Sequence, residues 1–210
     1  MDKKYFINGF INWEDDRIQL NGIDFLRLDP NTDSLSKTKA VYQHLGISYP
    51  KFFKMDLLSK AAFLSTEILR NHIDQFETYN KEKTATVLST CDGCLEVDKN
   101  YEESRKTFPS PALFVYTLPN IMLGEICIRN GFKGEQLCTL ADEEQAEFTA
   151  FYVQDLLDNR DTDVCICGFV NATLEHIVVN MRWVSKMKHA TSWPFHPDSI
   201  KSTCQFSDNK

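Results

Sequence analysis

The stretch from Gln136 to Phe169 constrains this chain more than any other. Gln136 to Ala141 reads as a short strand, and Asp142-Glu143-Glu144-Gln145 follows as a helix start. Asp142 is placed to accept from a backbone N–H two or three residues on, and Gln145 to reach back as in a capping box. The spacing predicts a helix to about Asp158, and then Val164-Cys-Ile-Cys-Gly-Phe169 as a buried strand. A strand that hands its chain to a helix N-terminus and returns as a strand is a β-α-β unit, which implies a layered α/β fold.

The rest of the chain fits such layers. Lys4 to Asn12 is rich in β-formers and broken by Gly9, and reads as the first strand; a polar, turn-rich excursion follows. From Met55 to Ile73, Leu57, Ala61, Leu64 and Ile68 recur at helical spacing and place one face against a core. Thr84-Ala-Thr-Val-Leu-Ser-Thr90 is β-branched and compact, an interior strand closed by Cys91-Asp92-Gly93. Glu96 to Lys106 is polar and expected to be exposed. Thr117 is expected to cap a helix with Pro119 in its first turn and a stop at Gly131. His176 to Val184 reads as one more strand, and Pro194 to Lys210 as loosely docked loop.

With 210 residues and 42% apolar composition, the chain can bury one sizeable core. No apolar run approaches a membrane span, and the start Met-Asp-Lys-Lys lacks the pattern of a secretory signal, so a cytoplasmic, non-membrane protein is expected. Seven scattered cysteines fit free, mostly buried thiols; Cys91-x-x-Cys94 is half of a zinc knuckle without a matching half, because Cys165 and Cys167 share one side of a strand. No metal and no cofactor is expected. The net charge of −7 argues against nucleic acid. Residues 135–175 carry ten acids against the single base Arg160, as a solvated helix face would.

Ser110-Pro-Ala-Leu-Phe-Val-Tyr-Thr-Leu-Pro-Asn-Ile-Met-Leu-Gly-Glu-Ile-Cys-Ile-Arg-Asn-Gly-Phe-Lys-Gly134 resembles a stretch of the β-ketoacyl-acyl carrier protein synthases. There a Ser-Pro loop leads through a Pro-Asn helix start to a Gly-Leu-x-Gly turn. Lys54 to Lys60, Val87 to Thr90, Leu95 to Ser104 and Asp161 to Phe169 are similar to that family's flanking helix, strands and loop, with Phe169 in place of a second glycine. The resemblance spans residues 4–172. It implies a thiolase-like fold: a layered mixed β-sheet with a buried central helix, half of the full condensing-enzyme fold. Residues 1–172 would form the ketosynthase-like domain and 173–210 an extension packed on it.

The resemblance also implies where chemistry would be. In active members a nucleophilic cysteine stands nine residues after the turn glycine, and here that position is Glu143. Active members draw two histidines from a second half, whereas 38 residues follow Ala172. His176, His189 and His196 match no motif, and Cys138, Cys165 and Cys167 stand away from the helix N-terminus that would acidify a thiol. Glu143 has two readings. It occupies the place where chain-length-factor partners carry Gln, or it is simply a favourable first-turn residue of a helix capped by Asp142.

No catalytic residue is therefore assigned. The expected function is a non-catalytic partner of 3-oxoacyl-acyl carrier protein synthases in polyketide, aryl-polyene or fatty-acid type biosynthesis. It would pair with a ketosynthase-like protein or with itself, with acyl carrier protein as a further candidate. The alternatives are an acyl-carrier-protein processing enzyme of the synthase or malonyl decarboxylase type, completed by a partner chain, and a stand-alone acyl-ligand binder.

Overall fold

A computed structural model describes residues 5–73 and 76–204. Its sheet begins with β1 (Phe6–Glu14), β2 (Arg17–Leu20) and β3 (Ile23–Arg27), an antiparallel meander. Asn21-Gly22, both at positive φ, makes the tight turn between β2 and β3. Then come α1 (Ser34–His44), α2 (Leu57–His72), β4 (Thr84–Thr90), α3 (Leu95–Arg105), α4 (Pro111–Val115), α5 (Ile121–Asn130) and β5 (Gln136–Leu140). The chain closes with α6 (Ala146–Asn159), β6 (Val164–Ala172), β7 (Ile177–Ser185), β8 (Trp193–Pro194) and α7 (Pro197–Thr203).

The eight-stranded sheet runs β3-β2-β1-β7-β6-β4-β5, with β8 paired to β1. β4 is parallel to β5 and β6, while β7 is antiparallel to β6 and β1. All seven residues of β4 are buried, as a strand covered on both faces requires. Side-chain alternation then sorts two cores. Leu88, Val164, Ile166 and Val170 face α2 and α5; Ala85, Val87, Cys165 and Cys167 face α6 and α7. The result is a three-layer α/β/α sandwich.

Helix α2 starts on Asp56, whose carboxylate accepts from the Ser59 amide at 3.2 Å, and the Leu57, Ala61, Leu64, Ile68 stripe is buried as its spacing predicts. Ile68→Ala is expected to cost about 2–5 kcal/mol in urea denaturation at an unchanged m-value, because the site is enclosed.

Several local expectations are corrected. The polar block Glu96 to Lys106 is exposed as expected, with Val97 alone buried, and it forms a helix, α3. Thr117 caps nothing: its hydroxyl donates back to the Phe114 carbonyl, Ser110 caps the separate α4, and α5 begins only at Ile121. The stop at Gly131 stands, at φ 74°. The turn-rich excursion holds β2, β3 and α1. The expected loose tail is instead ordered as far as the description reaches. Trp193 and Pro194 pair with Ile7 and Phe6, and Ile200 of α7 is fully buried, because the apolar face of α6 leaves room for it. Residues 205–210 of that tail lie outside the described residues, as does Lys4 of the first strand. The chain after Ala172, expected as a packed extension, supplies β7 between β1 and β6.

The helix expected to open on an Asp142 cap opens three residues later. Gln145 is its N-cap and makes no side-chain bond, so the capping box does not form. Its inner face, Ala146, Ala150, Val153, Leu156 and Leu157, packs on the sheet, and its outer face bears Phe151 at 68% exposure. The segment is thus an amphipathic surface helix rather than an enclosed one, since no layer lies beyond it. Among the described helices, α2 and α5 are buried along most of their length.

Candidate functional site

The place to look for chemistry in a parallel α/β layer is the carboxyl end of its strands, and here that means the turn between β5 and α6. β5 ends beside β4, where the Ala141 amide donates to the Thr90 carbonyl at 3.0 Å. From there Asp142 and Glu143 turn outward into solvent, while Glu144 turns inward. Glu143 is therefore neither at the first turn of a helix nor beside a cap from Asp142. The first-turn reading of Glu143 is thereby corrected, and the residue lies on the turn between strand and helix.

On the other side of β4, Asn171 of β6 ties the strand ends together. Its Oδ1 accepts from the Thr90 hydroxyl at 3.2 Å and from the Asp92 amide at 2.9 Å, and its Nδ2 donates to the Asp92 carboxylate at 2.7 Å. Nothing in the local sequence marks Asn171, because its partners lie some eighty residues away.

The other candidates lie elsewhere. The His176 ring pairs with Asp15 at 3.2 Å, His189 stacks on Tyr79 with its Nε2 at 2.8 Å from the phenol, and His196 caps α7 by accepting from the Ser199 amide. No imidazole is brought to the β5–α6 turn.

The thiols are placed for packing. Cys94, Cys127, Cys165 and Cys167 are buried, Cys138 and Cys204 partly so, and Cys91 is exposed. All seven are pushed away from the thiolate form. Burial raises Cys138 to about 11 and Cys94 to about 12. Cys167 and Cys204 also reach about 12, where burial outweighs the lowering effect of Arg182. Cys165 is raised well above its usual value and Cys127 is raised, both chiefly by burial, and Cys91 is raised by local desolvation and by Asp92 and Asp142. A nucleophilic cysteine needs the opposite environment, a cation or a helix N-terminus that stabilises its anion. Among the described residues, no three His, Cys, Asp or Glu side chains are grouped to hold a metal ion, and no helix is long and apolar enough to cross a membrane.

Space near the turn is small. The cavity between Ser89, Thr139, Ala141, Gln145 and Phe148 holds about 10 Å³, the lower limit for one water. A groove of about 230 Å³ opens between the start of α2 and helices α3 and α4, lined by Met55, Leu57, Val97, Leu113, Tyr116 and Leu174.

No protein-family model matches the chain, and no curated protein matches it in sequence. Solved structures do match in fold. The ishigamide ketosynthase/chain length factor aligns at TM-score 0.59 and 13% identity, over 91% of this chain and 64% of that one. The AntDE:AntF complex, a type II polyketide synthase acyl-carrier protein with its ketosynthase bound to the hexaketide, aligns at 0.60 and 14%, over 90% and 64%. The complex of the ketosynthase ApeO with its chain length factor ApeC from Xenorhabdus doucetiae aligns at 0.58 and 11%, over 95% of this chain and 89% of that one. The chain thus has the thiolase-like fold of ketosynthase and chain length factor proteins. It spans 64% of the length of the first two of these structures.

Proposed function

We propose that this chain is a non-catalytic, ketosynthase-like subunit that associates with a 3-oxoacyl-acyl carrier protein synthase in polyketide, aryl-polyene or fatty-acid type biosynthesis. The observation that carries this reading is the β5 edge. A terminal strand presents unpaired backbone groups, and proteins guard such strands with charge, proline or a bulge. The far edge β3 is guarded, since Asp24 and Arg27 lie on it and Arg17 and Gln19 both donate to Asp24. β5, Gln-Leu-Cys-Thr-Leu, has none of these protections. Exposed apolar side chains accompany it: Leu140 at its end and Phe148 and Phe151 on the helix that follows. Large apolar groups gathered around an unguarded edge favour another polypeptide over water.

The carboxylate at Glu143, where the resemblance puts the acyl-accepting thiol, supports a subunit that lends structure rather than chemistry. The 230 Å³ groove falls below the about 300–1,000 Å³ usual for ligand pockets, which weighs against the stand-alone acyl-ligand binder. In the solved complexes named above, a ketosynthase is found with a chain length factor or an acyl-carrier protein, and the proposal carries that pairing to this chain.

Sedimentation equilibrium at micromolar concentration, alone and with a co-encoded synthase, tests the reading. A complex with the synthase is expected, and Leu140→Lys, at a side chain 69% exposed, is expected to weaken it at least about tenfold without moving the thermal midpoint. A chain that stays monomeric in both runs would sink the proposal. Malonyl decarboxylation by the complex that is lost in Glu143→Gln would favour the enzyme completed by a partner.

A further inference from the structure

The Arg182 side chain, on β7, is only 1% exposed, and its donors are divided between two distant parts of the chain. Nε donates to the Thr203 hydroxyl at 2.6 Å, and Nη2 to the Ile200 carbonyl and the Cys204 sulfur, each at 2.9 Å. Nη1 donates to Glu144 Oε1 at 2.6 Å. The Cys204 thiol closes the ring by donating to Glu144 Oε2 at 3.0 Å. Asn12 of β1 adds a bond from its Nδ2 to the Thr203 carbonyl at 2.6 Å.

A guanidinium removed from water must satisfy its donors within the protein, and the carboxylate facing it must keep its cation. Neither end of this arrangement is supported well without the other. Helix α7 has seven residues, too short to persist by its own propensity, and it reaches the core through Ile200. In the β5–α6 turn, Asp142 and Glu143 face solvent and Gln145 supplies no cap, so Glu144 is the inward side-chain anchor.

We infer that α7 is a latch on the β5–α6 turn: Arg182 joins Thr203 and Cys204 to Glu144, so that the C-terminal helix and the turn carrying Glu143 are held, and released, as one unit. The coupling is reciprocal. A binder that draws away the end of the chain loosens the turn, and whatever seats on the turn firms α7. The inference holds for the isolated chain and does not depend on association with a synthase.

Amide hydrogen exchange on the full chain tests it, with Glu144→Gln at one end of the latch and Thr203→Val at the other. Loss of a bond to a charged partner is expected to speed exchange at least about tenfold in both variants, at the Ala141 and Thr149 amides, which donate to the Thr90 and Gln145 carbonyls on either side of the turn, and over residues 199–203 together, while β4 and β6 stay protected. Lys201→Ala removes only an exposed pair with Glu147 and is expected to leave both segments unchanged. If Thr203→Val loosens α7 alone, or Glu144→Gln the turn alone, the two are independent and the latch is refuted. Should either variant fail to fold, alkylation of Cys204 in the unaltered protein, mapped by peptide mass spectrometry across sub-denaturing urea, decides the matter. Its protection is expected to follow that of the Ala141 and Thr149 amides, and a mismatch above about tenfold overturns the inference.

Discussion

Incubated with acyl thioesters and malonyl carrier-protein substrates, the purified protein is expected to carry no stoichiometric acyl adduct and to release no condensation product. Acyl transfer of this kind begins with a thiolate, whose population at neutral pH is set by its surroundings. Here every one of the seven cysteines is pushed toward the thiol, mainly by burial or local desolvation, and none has an imidazole at hydrogen-bonding distance. Glu143 is exposed at the strand-to-helix turn, and a carboxyl group there cannot hold an acyl chain as a thioester. Intact-protein mass spectrometry reads the outcome directly. An adduct mapped to any cysteine would overturn the non-catalytic reading and assign a relocated nucleophile.

Gly168→Ala is expected to abolish folding. A Cβ at this position of β6 would lie 1.9 Å from the Asn180 carbonyl oxygen and 2.9 Å from the Met181 Cα, on a backbone at φ 150°. Both atoms belong to β7, which is hydrogen-bonded to β6 across nine register pairs and to β1 on its other side. It cannot yield without opening the centre of the sheet. The expected loss exceeds about 4 kcal/mol, the exceptional end for single substitutions. Gly124→Ala is the control: its Cβ meets nothing within 4 Å, and alanine in α5 should be neutral or stabilising by up to about 1 kcal/mol. Far-UV circular dichroism and thermal melts separate the two. A Gly168→Ala protein melting with the parent would show that β6 and β7 can spread.

Hydrophobic pattern made most of the central architecture legible. Thr84 to Thr90, Val164 to Phe169 and the Leu57 to Ile68 stripe announce buried strands and a core helix because apolar spacing is a local property. Asn21-Gly22 is an equally legible hairpin signal inside the excursion, but Asp and Arg side chains on its short flanking strands hide their alternation. Helix α3 was opaque for another reason: it buries one residue, and its i,i+3 ion pairs, Lys99 with Glu96 and Arg105 with Glu102, leave a composition like that of a loop.

The candidate site divides the same way. That Glu143 stands between a strand and a helix could be read from the residues alone, since strand, acidic turn and helix follow one another along the chain. Which of the turn's acids faces inward could not. The residue types at Asp142 and Gln145 predict a capping box, yet the helix begins only at Ala146, and Glu144 turns in to meet Arg182, 38 residues on. The strand order was hidden as well, because β7 separates β1 from β6 through pairings that no local pattern encodes. Local preference sets which segments can be strand or helix. Where β7 inserts, which carboxylate is buried and which edge stays bare are settled only when distant segments must satisfy one another's hydrogen bonds in a shared interior.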